Sequence, residues 1–186
     1  MDHEGQLIRD CQSGKLDQFA GLYELYFDKI YRFVYYRTHH QQTAEDLTSA
    51  TFLKAIKNIG TLKANGSSFS AWLYRIARNC IIDHYRATRP TEDIENAWDL
   101  ADETDVHRDA EVREKVRKVR ELLRKFPPDQ RDVVLMRAWD DMTYRDIAEA
   151  LGKTEEACRV SFSRAVKKLS GIIALIIVFL IHASKY

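Results

Sequence analysis

The residues best equipped for chemistry in this chain are cations set beside amides and aromatics. Within residues 70–86, SAWLYRIARNCIIDHYR, the side chains of Arg75, Arg78, Asn79, Asp83, Tyr85 and Arg86 fall opposite an apolar stripe at helical spacing. Guanidinium groups bind phosphate oxygens, amides meet base edges, and an aromatic ring stacks on an unpaired base. That set suits a nucleic-acid backbone with unstacked bases; it equally describes a core helix with a solvated charged face. Near the other end, Arg159, Arg164, Lys167 and Lys168 crowd another helical segment and offer a second place for phosphates. Enzymatic patterns are missing, since the sequence has no GxxxxGK[ST], GxSxG or HExxH. Glu45-Asp46 and Asp140-Asp141 fall where capping and turn formation account for them, and His39, His40 and His84 read as surface histidines without metal-binding spacing. No catalytic residue, cofactor or metal is expected.

The elements that must position these groups follow from hydrophobic period. Phe69, Trp72, Leu73, Ile76, Ala77 and Cys80 recur at steps of three, one, three, one and three, one face of a helix. Before it, helices are expected from Glu4 to Ser13 and from Leu16 to His39. The second repeats Phe19, Leu22, Tyr23, Tyr26, Phe27, Ile30, Phe33 and Val34, read as a core stripe. Thr43 is expected to cap a third helix reaching Ile59, with Asp46 at the capping-box position and Leu47, Phe52 or Leu53, Ile56 and Ile59 buried. The polar loop 60–70, GTLKANGSSFS, then delivers the chain into the 70–86 helix. A basic helix over 112–126 is stopped by Pro127-Pro128, and Asp129 is expected to cap a helix over 130–139 that buries Val133, Val134, Met136 and Ala138. Asp140-Asp141-Met142 turns, Thr143 caps a short helix over 144–151 with Asp146 three residues on, and Gly152 is placed for a left-handed end. Thr154 caps the last helix, whose apolar positions are Cys158, Phe162, Ala165 and Leu169. Short helices, a tight turn containing glycine and a longer basic helix make the helix-turn-helix arrangement.

Charge divides the chain more sharply than its net value of +1 suggests. Lys and Arg outnumber Asp and Glu by 12 to 9 over residues 1–90 and by 16 to 10 over 112–186, whereas one Arg faces 9 acids over 91–111. Two basic blocks around an acidic stretch predict two small helical domains facing a polyanion, 1–90 and 112–170, joined by a flexible acidic linker. Cys11, Cys80 and Cys158 are far apart and form no CxxC, so neither a disulfide framework nor a zinc site is supported, and a reducing cytoplasm fits. The polar N-terminus is not expected to be a signal peptide. The tail over 171–186 contains ten apolar residues from Ile172 to Ile181. As a helix these reach about 15 Å, too short to span a bilayer; packing on the domain or a partner is favoured over membrane contact.

Three stretches carry a resemblance: AEDLTSATFLKA (44–55), FSAWLYRIARNCIIDHYR (69–86) and LLRKFPPDQRDVVLMRAWDDMTYRDIAEALGKTEEACRVSFSRAVKKL (122–169). In this order they resemble a bacterial RNA polymerase sigma factor of the extracytoplasmic-function group, over most of residues 16–169. The resemblance implies an all-α protein with a sigma-2-like bundle and a sigma-4-like helix-turn-helix domain. It implies core RNA polymerase binding through Asp46, Leu47, Ser49 and Ala50, the last two standing where the family usually has Gln and an acid. It implies promoter DNA as ligand. The melted −10 element would meet Lys63, Asn65, Ser67, Ser68, Arg75, Arg78, Asn79, Asp83 and Arg86, with the loop trapping an extruded base. The −35 duplex would meet Thr154, Glu156, Arg159, Val160, Ser163, Arg164, Lys167 and Lys168, with Ser161 where relatives commonly carry a cation. An anti-sigma factor is implied as a further partner. The alternatives are a helix-turn-helix regulator acting without core polymerase and a membrane-tethered signalling protein using the apolar tail. A regulator has no need of the Asp46 helix or the Asn65 loop.

Overall fold

The computed structural model describes residues 3–62, 68–88, 121, 123 and 126–168. Every regular element among them is helical, and the chain divides into two compact units, Met1–Ile94 and Glu95–Tyr186. The first unit holds α1 (His3–Gln12), a 3-10 turn at Leu16–Gln18, α2 (Phe19–Thr38), α3 (Gln41–Asn58), a second 3-10 turn at Ile59–Thr61 and α4 (Phe69–Thr88). Helix α2 packs against α1, α3 and α4, and α3 packs against α4.

The core lies where these faces converge. From α2 it takes Phe19, Leu22, Tyr26, Ile30, Phe33 and Val34, and from α3 Ala44, Thr48, Thr51, Phe52 and Ala55. Edge-on ring pairs join α2 to α4, Phe33 with Tyr74 at 5.1 Å and Tyr26 with Phe69 at 5.2 Å. Such pairs contribute about 0.5–1.5 kcal/mol beyond their buried area. Leu7 seats α1 on α2 against Gly21, where a Cβ would stand 2.9 Å from Leu7 Cδ1.

Four sequence expectations change here. Tyr23 is 40 % exposed and Phe27 only half-buried, so the aromatic stripe is not all core. Steps of four residues drift about 40° per step around an α-helix, which carries Tyr23, Phe27, Tyr31 and Tyr35 off the buried face. The cap of α3 is His40, whose Nδ1 accepts from the Thr43 amide at 3.2 Å; Thr43 lies inside the helix. The preceding residue His39 takes a left-handed conformation (φ 53°) that ends α2, so the chain re-enters helix one residue later. His39 is also buried, not on the surface, and Asp46 has no capping duty.

The second unit holds Leu123 and Phe126, then α5 (Pro128–Ala138), α6 (Tyr144–Leu151) and α7 (Glu155–Lys168), each helix touching the other two. Pro128, lacking an N–H to satisfy, opens α5, and Asp129 does not cap it; its carboxylate pairs with Lys153 at 2.7 Å. Helix α5 is buried over more of its circumference than its sequence implies, including Arg131 and Asp132. The Arg131 Nε–H donates to the Leu123 carbonyl at 3.0 Å, which offsets part of the desolvation cost of burying a guanidinium. The Thr143 hydroxyl accepts from the Asp146 amide at 3.1 Å and donates to its carboxylate at 2.7 Å, and Gly152 ends α6 at φ 65°. The linker 91–111, most of 112–126, Leu169 and the tail 171–186 lie outside the described residues.

Candidate nucleic-acid interface

Helix α4 buries a wider face than the six-residue stripe. Ala71, Tyr74, Ile81 and Tyr85 join the core, while Ile76 is only half-buried. Tyr85 therefore leaves the polar set: its ring is buried and its hydroxyl donates to the Arg37 carbonyl at 3.3 Å. What remains outside is one row, Arg75, Asn79, Asp83 and Arg86, at steps of four, four and three. Arg78 sits half-buried on its flank. Asp83 approaches Lys54 of α3 at 3.6 Å, an exposed pair that adds little stability.

The loop leading into α4 is held at both ends. Both side-chain protons of Gln12 reach carbonyls at its start, Ile59 at 3.1 Å and Leu62 at 2.8 Å. At its end the Ser68 hydroxyl accepts from the Ala71 amide at 3.3 Å, so Ser68 caps α4, a structural duty the expected base contact did not include. Lys63, Asn65 and Ser67 lie outside the described residues. Gln12 gave no signal in the sequence, because its partners are 47 and 50 residues away.

On α3, Asp46 and Ser49 are exposed and Leu47 and Ala50 half-buried. Gln42, Asp46, Ser49 and Leu53 form an outward row, with Leu53 58 % exposed. Of the two alternatives Phe52 and Leu53, Phe52 is the core residue. Asp46 accepts from Gln42 at 3.4 Å and also acts on α4: burial pushes the His84 imidazole below its ordinary pKa, and the Asp46 charge pulls in the opposite sense.

Helix α7 places all eight expected contact residues on the surface, Thr154, Glu156, Arg159, Val160, Ser163, Arg164, Lys167 and Lys168. Only Cys158 and Ala165 are buried, and Phe162 is half-buried. By helical spacing Glu156, Val160, Ser163 and Lys167 form the central outward row, with Arg159 on one flank and Arg164 and Lys168 on the other. The Thr154 hydroxyl caps the helix, accepting from the Ala157 amide at 3.1 Å. Arg159 Nε stands 3.8 Å from Glu156, and its guanidinium lies 4.7 Å from the centre of the Tyr144 ring. Lys168 reaches over the Phe126 ring at 5.9 Å. Burial pushes the Cys158 thiol up, as it does Cys11, so neither thiol has the lowered pKa of a reactive nucleophile. Among the described residues no group of His, Cys, Asp and Glu is placed to hold a metal, and no helix is long and apolar enough to cross a membrane.

Known proteins resemble this chain in sequence and in fold. The Sigma-70 region 2 family matches residues 22–91 and the Sigma-70 region 4 family residues 117–169. The ECF RNA polymerase sigma factor BldN of Streptomyces coelicolor is 36% identical over 172 residues, which is 90% of this chain and 65% of that protein's length. The ECF RNA polymerase sigma factor SigW of Bacillus subtilis is 30% identical over 155 residues, 77% of this chain and 82% of its own. The fold is that of CnrH, solved with the cytosolic domain of CnrY, at a TM-score of 0.71 and 20% identity, covering 91% of this chain and 96% of that one. On the strength of these matches, the chain belongs to the extracytoplasmic-function group of RNA polymerase sigma factors.

Proposed function

We propose that α3 docks this protein on core RNA polymerase, that α4 and the loop before it hold the melted −10 element, and that α7 reads the −35 element in duplex form. The family role is that of a non-enzymatic initiation subunit, and the residues identified here divide that role among three outward rows. One observation carries the assignment. Within one compact unit, an exposed acid and leucine on α3 (Asp46, Leu53) accompany a cation-and-amide row on α4 (Arg75, Asn79, Arg86). A regulator that binds only duplex DNA needs the α7 face and has no use for the other two, which disfavours the alternative.

Arg75, Arg78 and Arg86 supply phosphate contacts, and Asn79 and Asp83 base-edge or sugar contacts. The proposed extents are 1–90 for the core-binding and −10 domain, 91–111 for the linker and 112–170 for the −35 domain. CnrH was solved with the cytosolic domain of CnrY, and RpoE of Bartonella quintana with the anti-sigma factor NepR. By that likeness an anti-sigma factor is proposed as partner here. The place of action is the cytoplasm, and membrane contact through Ile172 to Ile181 is not favoured.

Co-elution of the full chain with core polymerase tests the α3 assignment. The double variant Asp46→Arg/Leu53→Glu is expected to lose co-elution while keeping affinity for duplex DNA. Wild-type co-elution by that variant contradicts the assignment.

A further inference from the structure

We infer that Tyr144 is a positioning residue that aims Arg159 at one base of the upstream duplex; the inference rests on the proposed role of α7. Tyr144 opens α6 and is half-buried, and its ring is braced from two directions. Phe162 of α7 meets it edge-on at 6.3 Å, and the Arg137 guanidinium of α5 lies 5.2 Å from its centre. Arg137 is itself tied down, its Nη1–H donating to the Met142 carbonyl at 3.0 Å. The ring is thus a fixed platform where α5, α6 and α7 meet.

Arg159 uses that platform. Its guanidinium lies over the ring at 4.7 Å while its Nε edge faces Glu156 at 3.8 Å. The two terminal nitrogens have no hydrogen-bond partner among the described residues. A guanidinium lying over a ring, with its Nε edge turned toward an acid, presents the remaining pair of nitrogens outward, the fork that pairs with O6 and N7 of guanine. An exposed arginine without such support spreads over many rotamers and loses part of its binding free energy on being ordered. The ring's face attracts the cation electrostatically, so an aromatic replacement should preserve the effect and an aliphatic one should not.

The test uses the full chain assembled with core RNA polymerase and a pool of duplex promoters randomised across the upstream element, with the bound fraction sequenced. Arg159→Ala is expected to flatten base preference at one position. Tyr144→Leu is expected to weaken preference at that same position by about two- to five-fold, the range of a solvent-exposed cation–π contact. Other positions and the salt dependence should be unchanged, Tyr144→Phe should match wild type, and Tyr144→Leu should add nothing in the Arg159→Ala background. If Arg159→Ala flattens no position, the α7 assignment is what fails. If Arg159→Ala flattens one position but Tyr144→Leu spares it, or weakens all positions alike, the inference about Tyr144 is overturned. Should Tyr144→Leu not fold, Tyr144→Met, which keeps apolar bulk without a π face, takes its place and is read by the same outcomes, while a loss of preference in Tyr144→Phe also overturns the inference.

Discussion

Helices α4 and α7, both proposed to face DNA, differ sharply in burial. Helix α4 commits nine of its twenty residues to the core, whereas α7 commits two of fourteen. The difference follows from the target. A duplex major groove is about 12 Å wide, so a helix that reads it must stand clear of its own domain. Separated strands have no groove to enter, and a broad, well-anchored wall with one polar row is enough to hold them. The helix proposed to insert is held from one side, while the helix proposed to form a wall is built into the core.

Substitutions should separate the two helices, and the largest contrast is in stability. Leu73→Ala, at a fully buried position of α4, should cost about 2–5 kcal/mol in thermal or urea unfolding of the full chain. Val166→Ala, 41 % exposed on α7, should stay within about 0.5 kcal/mol. Similar losses would erase the contrast. Next comes base readout, where Arg159→Ala should cost about 1–3 kcal/mol of discrimination at one upstream position in competition binding. Arg75→Ala on α4 should instead weaken binding to single-stranded DNA with little change in base preference. A smaller effect is expected of Lys167→Ala, which should lower the salt slope of duplex binding by about one, with sequence preference intact.

The smallest effect is a pH dependence. Burial lowers the His84 pKa from 6.5, so just below that pH the native state binds fewer protons than the unfolded chain. Stability from this group is complete above the unfolded value and falls as pH drops toward the folded value. Melting temperature measured from about pH 8 down to pH 5 should therefore decline less steeply for His84→Asn than for wild type.

Much of this was legible in residue spacing. Among the described residues, period located the α-helices to within a few residues, although Leu16–Gln18 forms a 3-10 turn, and Thr143, Asp146, Gly152 and Thr154 marked helix ends in the second unit. What stayed hidden depends on contacts distant in sequence or on backbone shape. Tyr85 falls opposite the apolar stripe by helical spacing, but its hydroxyl reaches a carbonyl 48 residues away and its ring is buried. Thr43 looked like a cap because nothing in its neighbourhood announces the left-handed His39. Gln12 and Tyr144 carry no motif, and their roles come from the carbonyls and guanidinium groups that packing places beside them. Leu53 and Phe52 are adjacent in sequence, and only the packing of α3 on its neighbours decides which one faces out.

These surfaces are proposed to act together with core polymerase to start transcription at chosen sites. The direct measurement is in-vitro transcription of genomic DNA by core polymerase with and without the full chain, followed by sequencing of transcript 5′ ends. The expected result is a limited set of start sites that depend on the added protein and share elements near −10 and −35. Unchanged transcripts, together with failure of core polymerase to co-elute with the protein, would contradict it.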